Sequence, residues 1–380
     1  MKGSIGVWGG IVWFLLSGCQ ISLDDIKGPT YQLKWGDLLA VYDSLMEDRK
    51  VVYLQQDSSK LESLLGDIED FVVDSPRIFV VDRGWVKVYD WAGRFQQVLG
   101  VRGEGPAEYR RPHKIFKCNN HLVVYDAPIR LLFYTLQGYH FTGRIDYSFY
   151  GSLFEDQICV GDHIYVAPRG MNRKNPYHVL QFDRGGKIKA KAIFMNPRYR
   201  GYFLRGAFDG KLLAHNDQIM FTSSIYKKIY FMDYNLVLKD SISIAPASIC
   251  EDWTWPEMEK ESDIDASAIF DLYDRAKCLI CDMQLFNGYI MITYMVHIGG
   301  SMKDFVTHIY REEGDFSLYA FDYPFVGRMY LGEGRFVELR PYGSKGFAPH
   351  LLFYRLHPEN RQQWINPVDT LKQRLLSWFR

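Results

Sequence analysis

The sequence has no excess of charge of either sign, because its 45 Lys and Arg residues balance its 45 Asp and Glu residues. Proteins that hold nucleic acids or anionic surfaces mainly through electrostatics carry a clear basic excess. No block of like charge is longer than a few residues. We therefore expect no nucleic-acid partner, and a surface typical of an ordinary folded protein.

The sequence also has no apolar run long enough to cross a bilayer as a helix. The run Ile5–Leu16 is shorter than the roughly 20 residues that a spanning helix needs, and it has the length of a signal-peptide core. It ends in the segment Leu16-Ser17-Gly18-Cys19, which resembles the lipobox of bacterial lipoproteins. An ordinary secretory signal or a buried strand is the alternative interpretation of the same run.

The lipobox resemblance implies that residues 1–18 are removed as a signal peptide and that the thiol of Cys19 carries a diacylglyceryl group. Acyl chains anchor a protein through buried methylenes, while the polypeptide itself stays outside the bilayer. We therefore expect one partner to be the membrane, held through lipid on Cys19. The expected location is the bacterial cell envelope, at the outer membrane and facing the periplasm or the surface.

Few features of the sequence point to chemistry. It contains no nucleophile elbow, phosphate loop, zinc-protease helix or EF-hand loop. Beyond Cys19 there are five cysteines, an odd number that excludes a fully paired disulfide framework. Cys278 and Cys281 have metal-ligand spacing, but no second pair completes a set, so two thiols on a helix or an oxidised pair is the favoured interpretation. We expect no catalytic residue, no metal and no cofactor.

What the sequence does contain is a repeated pattern of short strands rich in aromatic and β-branched residues. In the segment Ile78–Tyr109, three strand-like runs are separated by turns and followed by a glycine-rich exit. The corresponding turn residues of four successive units are 45, 48 and 49 residues apart: Gly93, Gly138, Gly186 and Asn235. A spacing in the forties is the period of four-stranded propeller blades. The fold class predicted is all-β, a six-bladed β-propeller of four-stranded antiparallel blades with a short helical insertion.

The boundaries follow from where this pattern starts and stops. Residues 19–50 form a tether with a short helix over Trp35–Met46, and residues 51–358 form the propeller. The run Val51–Leu54 is expected to complete the last blade, so that the two ends of the chain close the ring. Residues 246–281 are acidic with apolar residues at helical spacing, which predicts the insertion. Residues 359–380 form a helical tail.

The segment Val101–Tyr109, VRGEGPAEY, resembles the G-x-G-P-x-E-[FY] loop of six-bladed β-propeller lipoproteins from Bacteroidetes-type bacteria, which are relatives of the NHL-repeat propellers. Ala107 stands where many members have Gly. The residues of the loop also suggest a structural role, in which Gly103 and Gly105 permit positive φ, Pro106 fixes the next turn and Tyr109 fills the groove between blades. The functional alternative is that Arg102, Glu104 and Glu108 reach the mouth of the central channel.

Ligand-binding candidates were sought in loops and at the expected axis. Trp253 and Trp255 in the acidic insertion could stack on sugar or hold a protein partner. Asp82 and Asp126 close matching strands and are expected to cap turns instead of acting as catalytic acids. Four histidines lie near ends of candidate strands: His113, His163, His215 and His297. The complete candidate set is Arg102, Glu104, Glu108, Tyr109, His113, Trp253 and Trp255.

From these features we predict a lipid-anchored envelope propeller that binds or scaffolds a protein, peptide or glycan without catalysis. The alternative is a propeller hydrolase or lyase with a metal or a His/Asp/Arg site in the central channel. Convergence of histidines and acidic residues on the axis would favour the enzyme.

Replacing Cys19 by Ala should release the protein from the membrane fraction, because the thiol that carries the acyl chains is lost. Fractionation of cells followed by immunoblotting checks this, with Cys250→Ala as the control that keeps the anchor. Retention of the Cys19→Ala protein in the membrane fraction would show that the lipobox interpretation is wrong.

Overall fold

Strands make up most of the chain that the structure describes. The structure is a computed structural model, and the described residues are 46–57, 59–126, 130–146, 154–168, 176–199, 210–226, 228–244, 278–286, 289–297, 303–310, 316–321, 327–332, 335–340 and 349–356. Within these ranges the helices are two single 3₁₀ turns, Leu61–Ser63 and Pro197–Tyr199. None of the described helices is long and apolar enough to cross a membrane.

Twenty-four strands belong to six four-stranded antiparallel sheets, each built mainly from consecutive strands. The first blade is β2 (Ile68–Asp74), β3 (Arg77–Asp82), β4 (Trp85–Asp90) and β5 (Phe95–Val98), and a short parallel pair follows it, β6 (Val101–Arg102) with β7 (Glu108–Tyr109). The second is β8 (Pro112–Cys118), β9 (His121–Asp126), β10 (Arg130–Thr135) and β11 (Phe141–Asp146). The third is β12 (Phe154–Val160), β13 (His163–Pro168), β14 (Tyr177–Phe182) and β15 (Ile188–Phe194).

The remaining three sheets continue the same order. The fourth blade is β16 (Gly210–His215), β17 (Gln218–Ser223), β18 (Lys228–Asp233) and β19 (Leu238–Ser243). The fifth is β20 (Cys278–Phe286), β21 (Tyr289–His297), β22 (Lys303–Tyr310) and β23 (Phe316–Phe321). The closing blade is β24 (Gly327–Gly332), β25 (Arg335–Arg340), β26 (His350–Leu356) and, at its outer edge, β1 (Met46–Tyr53).

The first strands of the six sheets contact one another in a closed cycle. β2 contacts β8, β8 contacts β12, and the series continues through β16, β20 and β24 back to β2. These innermost strands therefore surround a common axis, as in a propeller. The predicted all-β propeller of four-stranded antiparallel blades is confirmed.

The ring closes through the first described strand of the chain. β1 pairs antiparallel with β26, and Tyr53 lies opposite His350 while Val52 lies opposite Leu351. Leu54 then donates its N–H to the carbonyl oxygen of Pro349 at 3.0 Å. The prediction that Val51–Leu54 completes the last blade is confirmed, although the strand begins earlier, at Met46.

The second strand of a blade is buried on both faces, which explains its unbroken apolar sequence. Along β3, Ile78 and Val80 pack against the closing blade, whereas Phe79 and Val81 pack against the second blade. All four side chains are at most 1% exposed. Because a single sheet can cover neither face of such a strand by itself, each blade needs a neighbour on both sides.

The predicted turn glycines lie where the repeat places them. Gly93, Gly138 and Gly186 have φ values of 79°, 73° and 77° in the turns between the third and fourth strands. In the fourth unit the left-handed residue is Leu236, with φ 61°, one position after the predicted Asn235. In that turn the N–H groups of Asn235 and Val237 donate to one carboxylate oxygen of Asp233, at 2.9 and 3.0 Å, which holds the turn in shape.

Asp82 and Asp126 act as the sequence predicts, as buried caps. Asp82 accepts a hydrogen bond from the N–H of Gly66 at 2.9 Å, and its other oxygen lies 2.5 Å from the ammonium of Lys87. Asp126 accepts from the N–H groups of Arg110 and Arg111 and pairs with the guanidinium of Arg130. Both carboxylates are already bonded to backbone N–H groups and to a paired cation. Neither carboxylate is therefore available for catalysis.

A disulfide joins Cys118 and Cys159, at the far ends of the inner strands β8 and β12. It links the second and third blades, and the sequence alone did not predict this pairing. Cys278 and Cys281 both lie in strand β20, so the expectation that they lie on a helix is wrong. The rest of the predicted insertion, the signal peptide, the tail and most of the helix over Trp35–Met46 lie outside the described residues.

Replacing Gly93 by Ala should weaken the closure of the ring, because a Cβ there would lie 2.1 Å from the carbonyl oxygen of Tyr53 and φ is 79°. We expect the free energy of unfolding in urea to fall by at least about 2 kcal/mol. The matched control is Gly143→Ala, since a Cβ at Gly143 has no neighbour within 4 Å. Equal effects of the two substitutions would contradict the packing described here.

Candidate functional site

The loop over Val101–Tyr109 is held together by the carboxylate of Glu108. Its Oε2 accepts a hydrogen bond from the N–H of Gly105 at 2.8 Å, and a Cβ built on Gly103 would lie 2.0 Å from the same oxygen. Gly103 and Gly105 permit positive φ, but neither residue adopts it in this loop. A side chain at Gly103 would displace the Glu108 carboxylate from its hydrogen bond with the N–H of Gly105. Glu108 thus shapes the loop.

Tyr109 is a wedge between the first and second blades. Its side chain is 0% exposed, and its hydroxyl donates to the carbonyl oxygen of Leu99 at 2.7 Å and accepts from the N–H of Val86 at 3.3 Å. Burial raises the pKa of Tyr109 to about 12, which keeps the hydroxyl protonated as a donor. The structural role predicted for Tyr109 is the one that the geometry supports. Its burial leaves no surface for contact with a ligand.

Arg102 and Glu104 are occupied by local contacts on the outer part of the same loop. The guanidinium of Arg102 lies over the ring of Trp85, 5.5 Å from its centroid. Glu104 pairs with Arg110 at 2.6 Å, and both side chains are exposed. Neither contact reaches an inner strand. Of the proposed candidates, Cys19, Trp253 and Trp255 lie outside the described residues and stay predictions.

His113 is the one described candidate on an inner strand. It lies at a register shift in β8, and Glu69 lies at the equivalent shift in β2. His113 Nδ1 and Glu69 Oε2 form a direct pair between these strands. The two side chains are 34% and 23% exposed, so the pair stays open to solvent. Bulges of this kind redirect side chains and are common next to binding sites.

One equivalent position of the inner strand carries charge in each of the first four blades, and the sign alternates from blade to blade. In each of the first four blades, this residue lies on the first strand, opposite the next-to-last residue of the second strand. The four residues are Asp70, Lys114, Asp156 and Lys211. We call these four residues the charge belt. Lys114 lies 3.7 Å from Asp156, and both are about one quarter exposed. The belt and the Glu69–His113 pair together form a polar cluster at one end of the axis, which we call the axial cluster.

Two acids of the charge belt also accept hydrogen bonds from backbone N–H groups of the neighbouring blade. Asp70 Oδ2 accepts from the N–H of Ile115 at 2.8 Å, and Asp156 Oδ2 accepts from the N–H of Leu212 at 2.8 Å. In the next blade Ser224 Oγ accepts from the N–H of Ile280 at 2.7 Å. Innermost strands have one edge without a strand partner, and side chains of the preceding blade satisfy part of that edge.

Asp70 belongs to the charge belt, and its pKa is shifted from the ordinary value of an aspartate. Burial raises the pKa of Asp70 to about 6, against the opposing effects of the Lys114 charge and the Ile115 N–H, and the charge of Asp156 adds to the increase. A carboxyl with such a pKa can hold or release a proton near neutral pH. Within the described residues, no three His, Cys, Asp or Glu side chains are placed to hold a metal ion.

The other histidines do not converge on this cluster. His215 ends the inner strand β16, whereas His113 stands near the start of β8, so the two lie at opposite ends of the axis. His163 starts the second strand of its blade, at the same end as His215. The convergence of histidines that would favour the enzyme is therefore not seen for His113, His163 and His215.

Sequence reasoning found His113 but missed Glu69, Asp70, Lys114 and Asp156. The repeat in the sequence is marked by the turn glycines, which lie near the outer edge of each blade. These glycines do not identify the first, innermost strand of a blade. An alignment on the inner strands would have shown charged residues spaced by 44 and 42 positions, at Asp70, Lys114 and Asp156. The sequence therefore contains this pattern of charged residues, but the pattern does not coincide with the positions of the turn glycines.

The fold and the axial cluster define a β-propeller with a polar axis and no recognised catalytic motif. The chain belongs to the family described as "Domain of unknown function (DUF4934)", whose model matches residues 44–343. No curated protein matches the chain. The relation to NHL-repeat propellers stays a prediction.

Two solved structures are similar in fold. A protein of Bacteroides fragilis NCTC 9343 that is described as exported is 14% identical, with a TM-score of 0.59, over 83% of this chain and 96% of its own. A DUF4221 family member from Bacteroides vulgatus is 10% identical, with a TM-score of 0.55, over 82% of this chain and 96% of its own. At these identities the similarity shows a shared fold.

Replacing Asp70 by Asn should change how stability depends on pH. A carboxyl whose pKa is raised to about 6 on folding lowers the free energy of unfolding as pH rises from about 4 to about 6, by on the order of 1–3 kcal/mol. Asn keeps an oxygen for the Ile115 N–H but removes this contribution. Urea unfolding of both proteins at pH 4, 5, 6 and 7 measures the difference, and a difference that stays constant with pH would contradict the assignment.

Proposed function

We propose that the protein is a lipid-anchored, non-catalytic module of the bacterial cell envelope, built as one closed six-bladed ring, that binds a protein, peptide or glycan at the axial cluster. The observation that carries this proposal is the Glu69–His113 pair beside the charge belt. Its side chains remain a quarter to a third exposed and present acceptors, donors and both signs of charge toward the axis. Convergent polar groups of this kind orient ligands in concave sites.

The way in which the cluster is paired favours binding over catalysis. Asp70 and Asp156 each use one carboxylate oxygen on a backbone N–H, and Lys114 lies between the two acids. Groups held in mutual pairs are poorly placed to act as a nucleophile and its general base. Such a set can instead exchange one of its internal contacts for a contact with a polar ligand.

Three observations support the envelope location. A disulfide between Cys118 and Cys159 is typical of proteins that fold in an oxidising compartment. The segment Leu16–Cys19 resembles a lipobox. The structurally similar Bacteroides fragilis protein is described as exported. Attachment through lipid on Cys19 is part of the proposal.

The second candidate function is a hydrolase or lyase with its site in the channel. The observation that favours it is the contact between His113 and Glu69, close to an acid whose pKa is about 6. A histidine oriented by a carboxylate is a common general base. Within the described residues this candidate still lacks a metal site.

The test uses the full chain carrying Cys19→Ala, screened on arrays of envelope peptides and glycans, with affinities then measured for each hit. We expect the double variant Glu69→Gln/His113→Gln to weaken binding at least about tenfold, because it removes the Glu69 carboxylate and the His113 imidazole from the axial cluster. Glu104→Gln is the control, since it alters an exposed acid in the loop and leaves the axis intact.

Unchanged affinity in the double variant would overturn the axial site. Turnover of a bound hit, or a stoichiometric metal ion in the purified protein, would favour the hydrolase or lyase instead.

A further inference from the structure

A groove of about 460 Å³ lies at the seam where the closing blade meets the first blade. One wall is the outer strand β1, and the other is the turn between β4 and β5. Its lining residues are Lys50, Val51, Val52, Tyr53, Gln55, Trp91 and Ala92. This groove lies at the outer edge of the ring and shares no residue with the axial cluster.

The groove is built on a rigid base. The N–H of Gln55 donates to the carbonyl oxygen of Gly93 at 2.8 Å, which ties the end of β1 to the turn. The ring of Trp91 packs against Phe353, with centroids 5.0 Å apart, and the ring of Tyr53 contacts His350 at 5.3 Å. Both aromatic rings are therefore held in place before any ligand arrives, which reduces the entropy lost on binding.

Tyr53 and Trp91 supply apolar ring surface to the groove. Tyr53 is 50% exposed, and it is one of the large hydrophobic side chains that the described fold leaves uncovered. Val51, 43% exposed, extends this surface along the strand. Exposed aromatic rings in a concave site commonly serve as stacking platforms.

The polar groups around these rings make no hydrogen bond and no ion pair among the described residues. The side-chain amide of Gln55 and the hydroxyl of Tyr53 make no hydrogen bond there, and Lys50 makes no ion pair. The ammonium of Lys50 lies 5.8 Å from the centroid of the Trp91 ring. A cation without a carboxylate beside it is complementary to an anionic ligand.

We propose that this seam groove binds an acidic saccharide. A pyranose ring has apolar C–H faces that suit the aromatic rings and a rim of hydroxyls that suits the amide and the phenol. A uronic-acid carboxylate completes the pairing with Lys50. The proposal is independent of ligand binding at the axial cluster, because the two sites share no residue.

The test is calorimetric titration of the full chain carrying Cys19→Ala with tri-galacturonic acid, and with maltotriose as the neutral probe. We expect saturable binding of the acidic trisaccharide and at least about fivefold weaker binding of the neutral one. Tyr53→Ala should weaken the acidic trisaccharide about tenfold, and Lys50→Gln should remove its advantage over maltotriose.

The chain offers matched controls at another outer edge. Phe194 is an exposed aromatic residue on β15, and Lys191 lies over the ring of Tyr177 at 5.4 Å, as Lys50 lies over Trp91. Phe194→Ala and Lys191→Gln should leave the affinity unchanged. Circular dichroism on all four variants separates loss of binding from loss of fold.

Absence of saturable binding, or equal effects of the groove and control substitutions, would overturn the proposal. Tight binding that Glu69→Gln/His113→Gln abolishes would assign the saccharide to the axial cluster and would also overturn it.

Discussion

The pairing of β1 with β26 is the interaction on which the rest of the structure depends. It joins Tyr53 to His350, almost 300 positions later in the chain, and it turns a row of sheets into a ring. Each blade is buried on two faces, so an open row would leave one apolar face uncovered at each end. Closure removes both exposed faces at once, and the close approach of Gly93 to the backbone of Tyr53 continues the seam beyond the hydrogen-bonded strands.

Closure also creates the axis and sets its chemistry. Six inner strands surround one line, and each presents an edge that no further strand can pair. Carboxylates of Asp70 and Asp156 satisfy N–H groups of the following blades, so these two acids have a structural role near the axis. The positive charge of Lys114 then offsets the negative charge of these two acids. The polar axis is thus a consequence of ring geometry, and a ligand site there would use groups that the fold already requires.

The sequence was informative where one residue type has one physical role. Glycines in left-handed turns, such as Gly138 and Gly186, marked the repeat, and Asp82 and Asp126 were correctly predicted as caps. It was less informative where a contact joins two blades. The role of Gly103 depends on the position of the Glu108 carboxylate and not on φ, and the disulfide of Cys118 with Cys159 depends on two inner strands ending side by side. Neither the distance from Gly103 to the Glu108 carboxylate nor the distance between Cys118 and Cys159 can be obtained from spacing along the chain.

The same reasoning separates the two surfaces that could bind a ligand. At the axial cluster, the acids already bond to neighbouring backbone, so a ligand there must replace internal contacts and gains less for each new one. At the seam groove, Gln55 and Tyr53 are positioned by backbone pairing and by the contact of Tyr53 with His350, and their side-chain polar groups make no hydrogen bond among the described residues. Within the described part of the chain, a polar ligand in the groove therefore displaces no internal hydrogen bond. On this argument the outer seam has the smaller cost of binding, although the axis has the greater density of charge.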